Sequence, residues 1–462
     1  MTSHHRPPPA RPRRFAELVL LFVCLGGLAA ASCAPAGGIA SRPSNRTAEL
    51  ALTNVRIVDG TGTAASGEPM TVEIRGRRIA AIYPTASRRA RAAETIDLAG
   101  RYLLPGLFDS HVHLTMGGRP APPMQLQLVL AGGVTSVRDM AGLVPVLRTL
   151  ADRAREDTVL SPRIHYAALV AGPSWFDDAR AKTWTAEYPL GAAPWQHAVT
   201  DTSDVARIVA GARATGAGAI KIYANLSPRL VGRIAAEARR QGMRVWAHST
   251  VFPASPGEVV AAGVHSVSHA TYAVWEDAAA MPEVSRGSLN ASDFSGDPAR
   301  SARIDAYIRA LRESGTFMDA TLSVLNVRQD NRGALGRDPD RTIAWTREFA
   351  RRAHNGGVRF LAGTDAMGPG RDSIPIVHYE LEELVTHAGL TPAEAIRAAT
   401  LNPAEALGIE ADYGSVRVGR IADLIVVESD PTADIRNTRR PALVLKGGRV
   451  VHRRAAATAA AP

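Results

Sequence analysis

Eight times between about residues 104 and 408 a short apolar run is followed by a helical pattern, and this repetition constrains the fold more than any other feature. The strand candidates read LPGLFDSHVH, TSVRDM, RIHYAAL, AIKIYA, RVWAHS, SVSHA, TFMDATL and RFLAGTDA. The segments between them carry apolar residues at helical spacing, as in SPRLVGRIAAEARRQG, where Gly242 marks the stop. Eight strand–helix units closing on themselves make an α/β fold, the (β/α)8 TIM barrel, with its site where the strands end. Insertions at Gly172–Thr200 and Trp275–Pro298 follow the third and sixth strands, which makes them candidate walls or lids of that site.

The flanks read differently. From Glu49 to Gly100 the pattern is short alternating strands broken by turn residues, and the same style returns in YGSVRVGRIADLIVVESD and PALVLKGGRVVHR. This predicts one small β-sandwich built from both chain ends, residues 49–104 and 409–455, around a barrel over 105–408. Residues 1–33 read as an export signal, with Arg6, Arg11, Arg13 and Arg14 ahead of an apolar run, Leu18–Ala31, that is short for a membrane span. Small residues followed by Cys33 fit a lipoprotein processing site, with plain cleavage after Ala31 as the rival. The expected location is therefore the periplasm or cell envelope, and the only membrane attachment expected is a lipid at Cys33. Cys24 would leave with the signal, so the mature chain has no internal disulfide. Residues 34–48, rich in Ala, Gly, Ser and Pro, read as a flexible tether.

Net charge is +10 over 462 residues, almost all of it arginine, since the only lysines are Lys182, Lys221 and Lys446. Outside the leader the arginines alternate with acids, and no basic tract interleaves with aromatics. Nucleic acid is excluded as a partner, and a small-molecule substrate is expected.

The first barrel strand ends in His111 and His113. Residues i and i+2 of a strand share a face, so both imidazoles can grip one metal, although a metal-free pair of pocket histidines has the same pattern. Lys221 lies on the fourth strand, while His248, His269 and Asp365 end the fifth, sixth and eighth. Singly, each has a plainer role: a hydrogen-bonded core histidine, a helix cap for Asp365, a salt bridge for Lys221. Jointly they fall on the rim where a barrel keeps its catalytic groups, and together they point to a metal site.

PGLFDSHVH, AIKIYA, VWAHS, VSHA, AGTDA and the tail TLNPAEALGI…YGSVRVGRIADLIVV resemble the amidohydrolase superfamily, specifically its two-metal branch and the imidazolonepropionase-related and Xaa-Pro dipeptidase-like group. The resemblance runs from about residue 49 to 455. It implies two divalent metal ions, expected to be zinc: His111, His113 and Asp365 on the more buried one, His248 and His269 on the more exposed one. It further implies Lys221 as their bridge, a carbamate formed from carbon dioxide. A carbamate presents two oxygens and a negative charge, which two cations about 3.5–4 Å apart require. The implied reaction is hydrolysis of an amide, cyclic amide, dipeptide or lactone by a metal-bridged hydroxide, with Asp365 moving the proton.

KIYANLS departs from the KIMATGG form of prolidase-like members, which counts against dipeptide specificity. Tyr223 shares a face with Lys221 and is the substrate-binding candidate, with simple rim packing as the alternative. Arg138 has two readings, a substrate carboxylate or a structural acid. His165 and His197 read as structural or loop residues. Two rivals stand beside the two-metal hydrolase. A one-metal deaminase of the same superfamily would usually lack the fourth-strand lysine. A catalytically inactive barrel acting as a binding lipoprotein should have lost a ligand, and none of the six is missing.

Overall fold

The computed structural model describes residues 47–455, apart from 116–117, 186, 286–296, 298–299, 330–337, 367 and 369. The leader, Cys33 and nearly all of the tether lie outside the described residues, as does half of the second insertion.

The eight expected strands form. They are β1 (Leu107–Val112), β2 (Val134–Asp139), β3 (Arg163–Ala171), β4 (Ala219–Ile222), β5 (Arg244–His248), β6 (Ser266–Ser268), β7 (Phe317–Asp319) and β8 (Phe360–Leu361). Each pairs in parallel with the next in sequence order. Two hydrogen bonds join the last to the first: the Ser110 amide donates to Ala362 O at 2.8 Å, and the Asp365 amide donates to His111 O at 2.9 Å. The barrel is thereby closed next to the predicted rim.

The helices follow from the sequence pattern. In Pro228–Arg240, Ser227 accepts from the Leu230 amide as N-cap and Pro228 starts the first turn. Leu230, Val231, Ile234, Ala235 and Ala238 are buried at helical spacing against the barrel. Gly242, at φ 76°, turns the chain back into β5.

The second sheet is assembled from both ends, as expected. Leu424–Val427 pairs antiparallel with Tyr102–Pro105, and Leu443–Lys446 extends it on one side. On the other side Tyr102–Pro105 pairs with Ala48–Ile57. Alternation divides these strands between two cores. Leu103, Leu424, Val426, Leu443 and Leu445 face the sandwich core. Leu104, Ile425, Val427 and Val444 face the barrel core. Arg163 and Asp423 lock the two together through a buried bidentate pair, 2.9 and 3.1 Å. No helix among the described residues is long and apolar enough to cross a membrane.

Candidate metal centre

The rim gathers the predicted residues from five strands. His111 ends β1, and its Nε2 lies 3.4 Å from Asp365 Oδ1; His113 Nε2 reaches the same oxygen at 3.3 Å. The two imidazoles therefore share a face, as their spacing required. His269, behind β6, stands with its ring 4.8 Å from that of His111 and 4.9 Å from that of His248. Ligand atoms of His111, His269 and Asp365 all lie within 4.8 Å of one another. Lys221 is fully buried on β4 and donates to Ser268 Oγ at 3.1 Å.

Each histidine that faces Asp365 is pinned from behind. His111 Nδ1 lies 2.7 Å from Asp319 Oδ2, and His113 Nδ1 lies 3.0 Å from the Ala141 carbonyl. Both partners are acceptors, so both Nδ1 atoms donate and both Nε2 atoms face the Asp365 carboxylate. His269 Nδ1 is held by Thr321 Oγ1 at 3.0 Å. Burial holds His248 and His269 well below the ordinary histidine range, which keeps them neutral. Burial alone would raise Asp365, but His111, His113 and His269 outweigh it and hold the carboxyl well below its usual range.

Two ring nitrogens and a carboxylate oxygen converging at 3.3–3.4 Å need a positive charge among them, either a proton on the imidazole or a metal ion. Bonds of about 2.0–2.1 Å in tetrahedral array separate neighbouring ligand atoms by about 3.3–3.4 Å. Imidazoles with anchored Nδ1 atoms, their Nε2 atoms turned to an ionised carboxylate, are what a divalent metal requires once it takes the place of the proton that Asp365 favours on His113. The residues present fit the group.

Asp319 went unread in the sequence, although it sits in the quoted TFMDATL. It is fully buried at the end of β7 and receives Arg138 as well, at 3.4 Å. Arg138 also donates to Ser110 O and Ser266 Oγ and lies over the Trp246 ring. Asp319 is thus the structural acid, and Arg138, buried beneath the rim, is not placed to meet a substrate. Gly363 is required where it stands, because a Cβ there would come within 2.2 Å of Asp319 Oδ1 and 2.8 Å of His111 Cβ. His165 stacks on Phe108, its pKa pushed down to about 4 by burial and by Arg163 and Arg138. His197 lies half-buried on a short strand beside β3, away from the centre.

A cavity of about 420 Å³ opens over the centre. The first insertion supplies Ser174, Trp175, Asp178 and Trp184 to its wall, and Ser285 comes from the second. Tyr223 lines it with its ring 4.1 Å from that of His248 and 4.8 Å from that of Trp175. The Trp184 ring lies 5.9 Å from that of His113.

The profile of the amidohydrolase family matches residues 102–451. The chain is 25% identical over 397 residues to an imidazolonepropionase of Sphingopyxis alaskensis, covering 79% of this chain and 87% of that one. It is 26% identical over 414 residues to an adenine deaminase of Rubrobacter xylanophilus, covering 86% of this chain but 58% of the deaminase. A crystal structure of a putative prolidase from Bifidobacterium longum superposes with a TM-score of 0.65 at 26% identity, over 88% of this chain and 96% of the other. With the family match running through all eight strands, the converging rim and the returning C-terminal sheet, this chain belongs to the amidohydrolase family.

Proposed function

We propose that this chain is an exported hydrolase that uses two zinc ions to cleave an amide-type C–N bond in a small molecule. The observation that carries the reading is the convergence of His111 and His113 on Asp365 with both Nδ1 atoms anchored from behind. His111, His113 and Asp365 would hold one cation, and His248 and His269 the other. Lys221 would join them as a carbamate. Carbamate formation needs the neutral amine, and burial, aided by Arg138, brings the Lys221 ammonium down to about 7 against the pull of Asp319 and Asp365. Zinc, when bound, supplies Lewis acidity and acidifies coordinated water towards neutrality.

The chain's own groups do the rest. Asp365, kept ionised by the histidines around it, accepts the proton of the attacking water and hands it to the leaving nitrogen. Tyr223 offers a phenol at the wall to the substrate carbonyl. The aromatic side chains of the first insertion narrow the cavity above the centre and exclude water from it.

Metal analysis of the purified protein tests the reading. We expect about two equivalents per chain, and fewer in Lys221→Arg, with a rate loss of at least roughly a hundredfold on the best substrate. Arginine keeps the positive charge that a salt-bridge role would need, so a Lys221→Arg protein with full metal and activity sinks the bridge. Similarity to the R. xylanophilus adenine deaminase supports a second reading, a one-metal deaminase. That reading predicts one equivalent and release of ammonia from an aminopurine. Export is supported by the leader-like first 33 residues, and a cell-associated protein whose intact mass starts at Met1 would overturn it.

A further inference from the structure

One buried carboxylate near the rim takes no part in the chemistry above. Glu380 lies on the helix Val377–Thr386, which follows β8, and is wholly shielded from solvent. Its two oxygens accept from the backbone amides of Leu322 and Ser323, at 3.0 and 2.6 Å. These are the two residues after Thr321, whose φ of 52° is a conformation that β-branched residues rarely adopt. The Thr321 hydroxyl is the group that meets His269 Nδ1. Val324, next along the chain, lines the cavity. One acid from the helix behind β8 therefore grips both amides that follow the residue buttressing His269.

A carboxylate in this position is costly. Burial pushes the Glu380 carboxyl up to about 8, against the amide hydrogen bonds that pull it down. An apolar side chain would fill the same space without that cost. The acid is explained by what it holds.

We propose that Glu380 is a positioning residue for His269: by clamping Leu322 and Ser323 it keeps Thr321 in the left-handed conformation, with its hydroxyl on the imidazole. The inference rests on His269 being a ligand of the more exposed cation. It predicts that Glu380 and Thr321 act on metal binding as one unit.

The test is zinc affinity of the full-length protein, measured by competition with a chromophoric chelator, for the parent, Glu380→Gln, Thr321→Val and the double variant. Glutamine presents an NH2 group to one of the two amides and breaks half of the clamp. Valine keeps the shape of threonine and removes the hydroxyl. Each single variant should weaken the second equivalent by roughly 10–100-fold and leave the first nearly unchanged. The double variant should be no worse than the worse single one, because both remove the same support. Glu380→Asp, which keeps the carboxyl group and its burial, should regain part of the loss and serves if glutamine prevents folding. Two equivalents held as tightly as in the parent, or losses that multiply in the double variant, overturn the clamp alone. A parent that takes up no second equivalent overturns the two-cation reading and the clamp with it.

Discussion

The two ends of the barrel turn the chain with different residues. Ahead of β2, β4, β5, β6, β7 and β8 the left-handed position is a glycine each time: Gly133, Gly216, Gly242, Gly263, Gly315 and Gly357. At the opposite end, the first left-handed position behind β4, β6, β7 and β8 is Asn225, His269, Thr321 and Asp365 in turn. A residue with a Cβ spends about 1–2 kcal/mol in that region, whereas glycine enters it freely. The returning turns are thus built for stability. The rim turns instead keep side chains that line the cavity or, for Thr321, meet His269, and backbone strain gathers at sites of this kind.

That contrast can be broken at either end. The larger effect is expected at His269. His269→Gly and His269→Ala should both lose the more exposed cation and at least roughly a hundredfold in rate. The glycine variant should nevertheless be the more stable of the two by about 1 kcal/mol, because only alanine keeps the left-handed penalty. Denaturant midpoints for the pair read that difference directly, and equal midpoints would mean that the rim stores no strain there. The smaller effect is expected at Gly242, where an added Cβ meets nothing within 4 Å. Gly242→Ala should cost about 1–2 kcal/mol of stability, with metal content and kcat/KM unchanged. A kinetic change there would show that the returning turns are not separable from the site.

The sequence exposed what depends on local period and missed what depends on register. Every barrel strand was legible because each is a short apolar run bounded by helical spacing. The sandwich was legible because its strands alternate, Leu103 to one core and Leu104 to the other. The rim residues were legible because each ends a strand, and the HxH spacing alone put His111 and His113 on one face. Asp319 escaped. Its role is defined by His111, 208 positions away, and by Arg138, 181 positions away. No local pattern marks such a pair, although Asp319 closes the seventh strand as His248 closes the fifth. Glu380 was hidden for the same reason, since the amides it grips belong to another strand's loop.

The sheet that joins Tyr102–Pro105 to Leu424–Val427 also sets a schedule for the nascent chain. About 320 residues separate the two strands, and at about 5–20 residues per second the first waits roughly 16–64 s for its partner. Throughout that interval Leu103 and Leu104 have no strand to cover them on that side, and the Tyr102–Pro105 edge is open to other chains. The sandwich therefore cannot fold ahead of the barrel as an N-terminal domain would. It is the last piece to close, and a ribosome that stalls late leaves a barrel beside a sandwich with one edge unsewn.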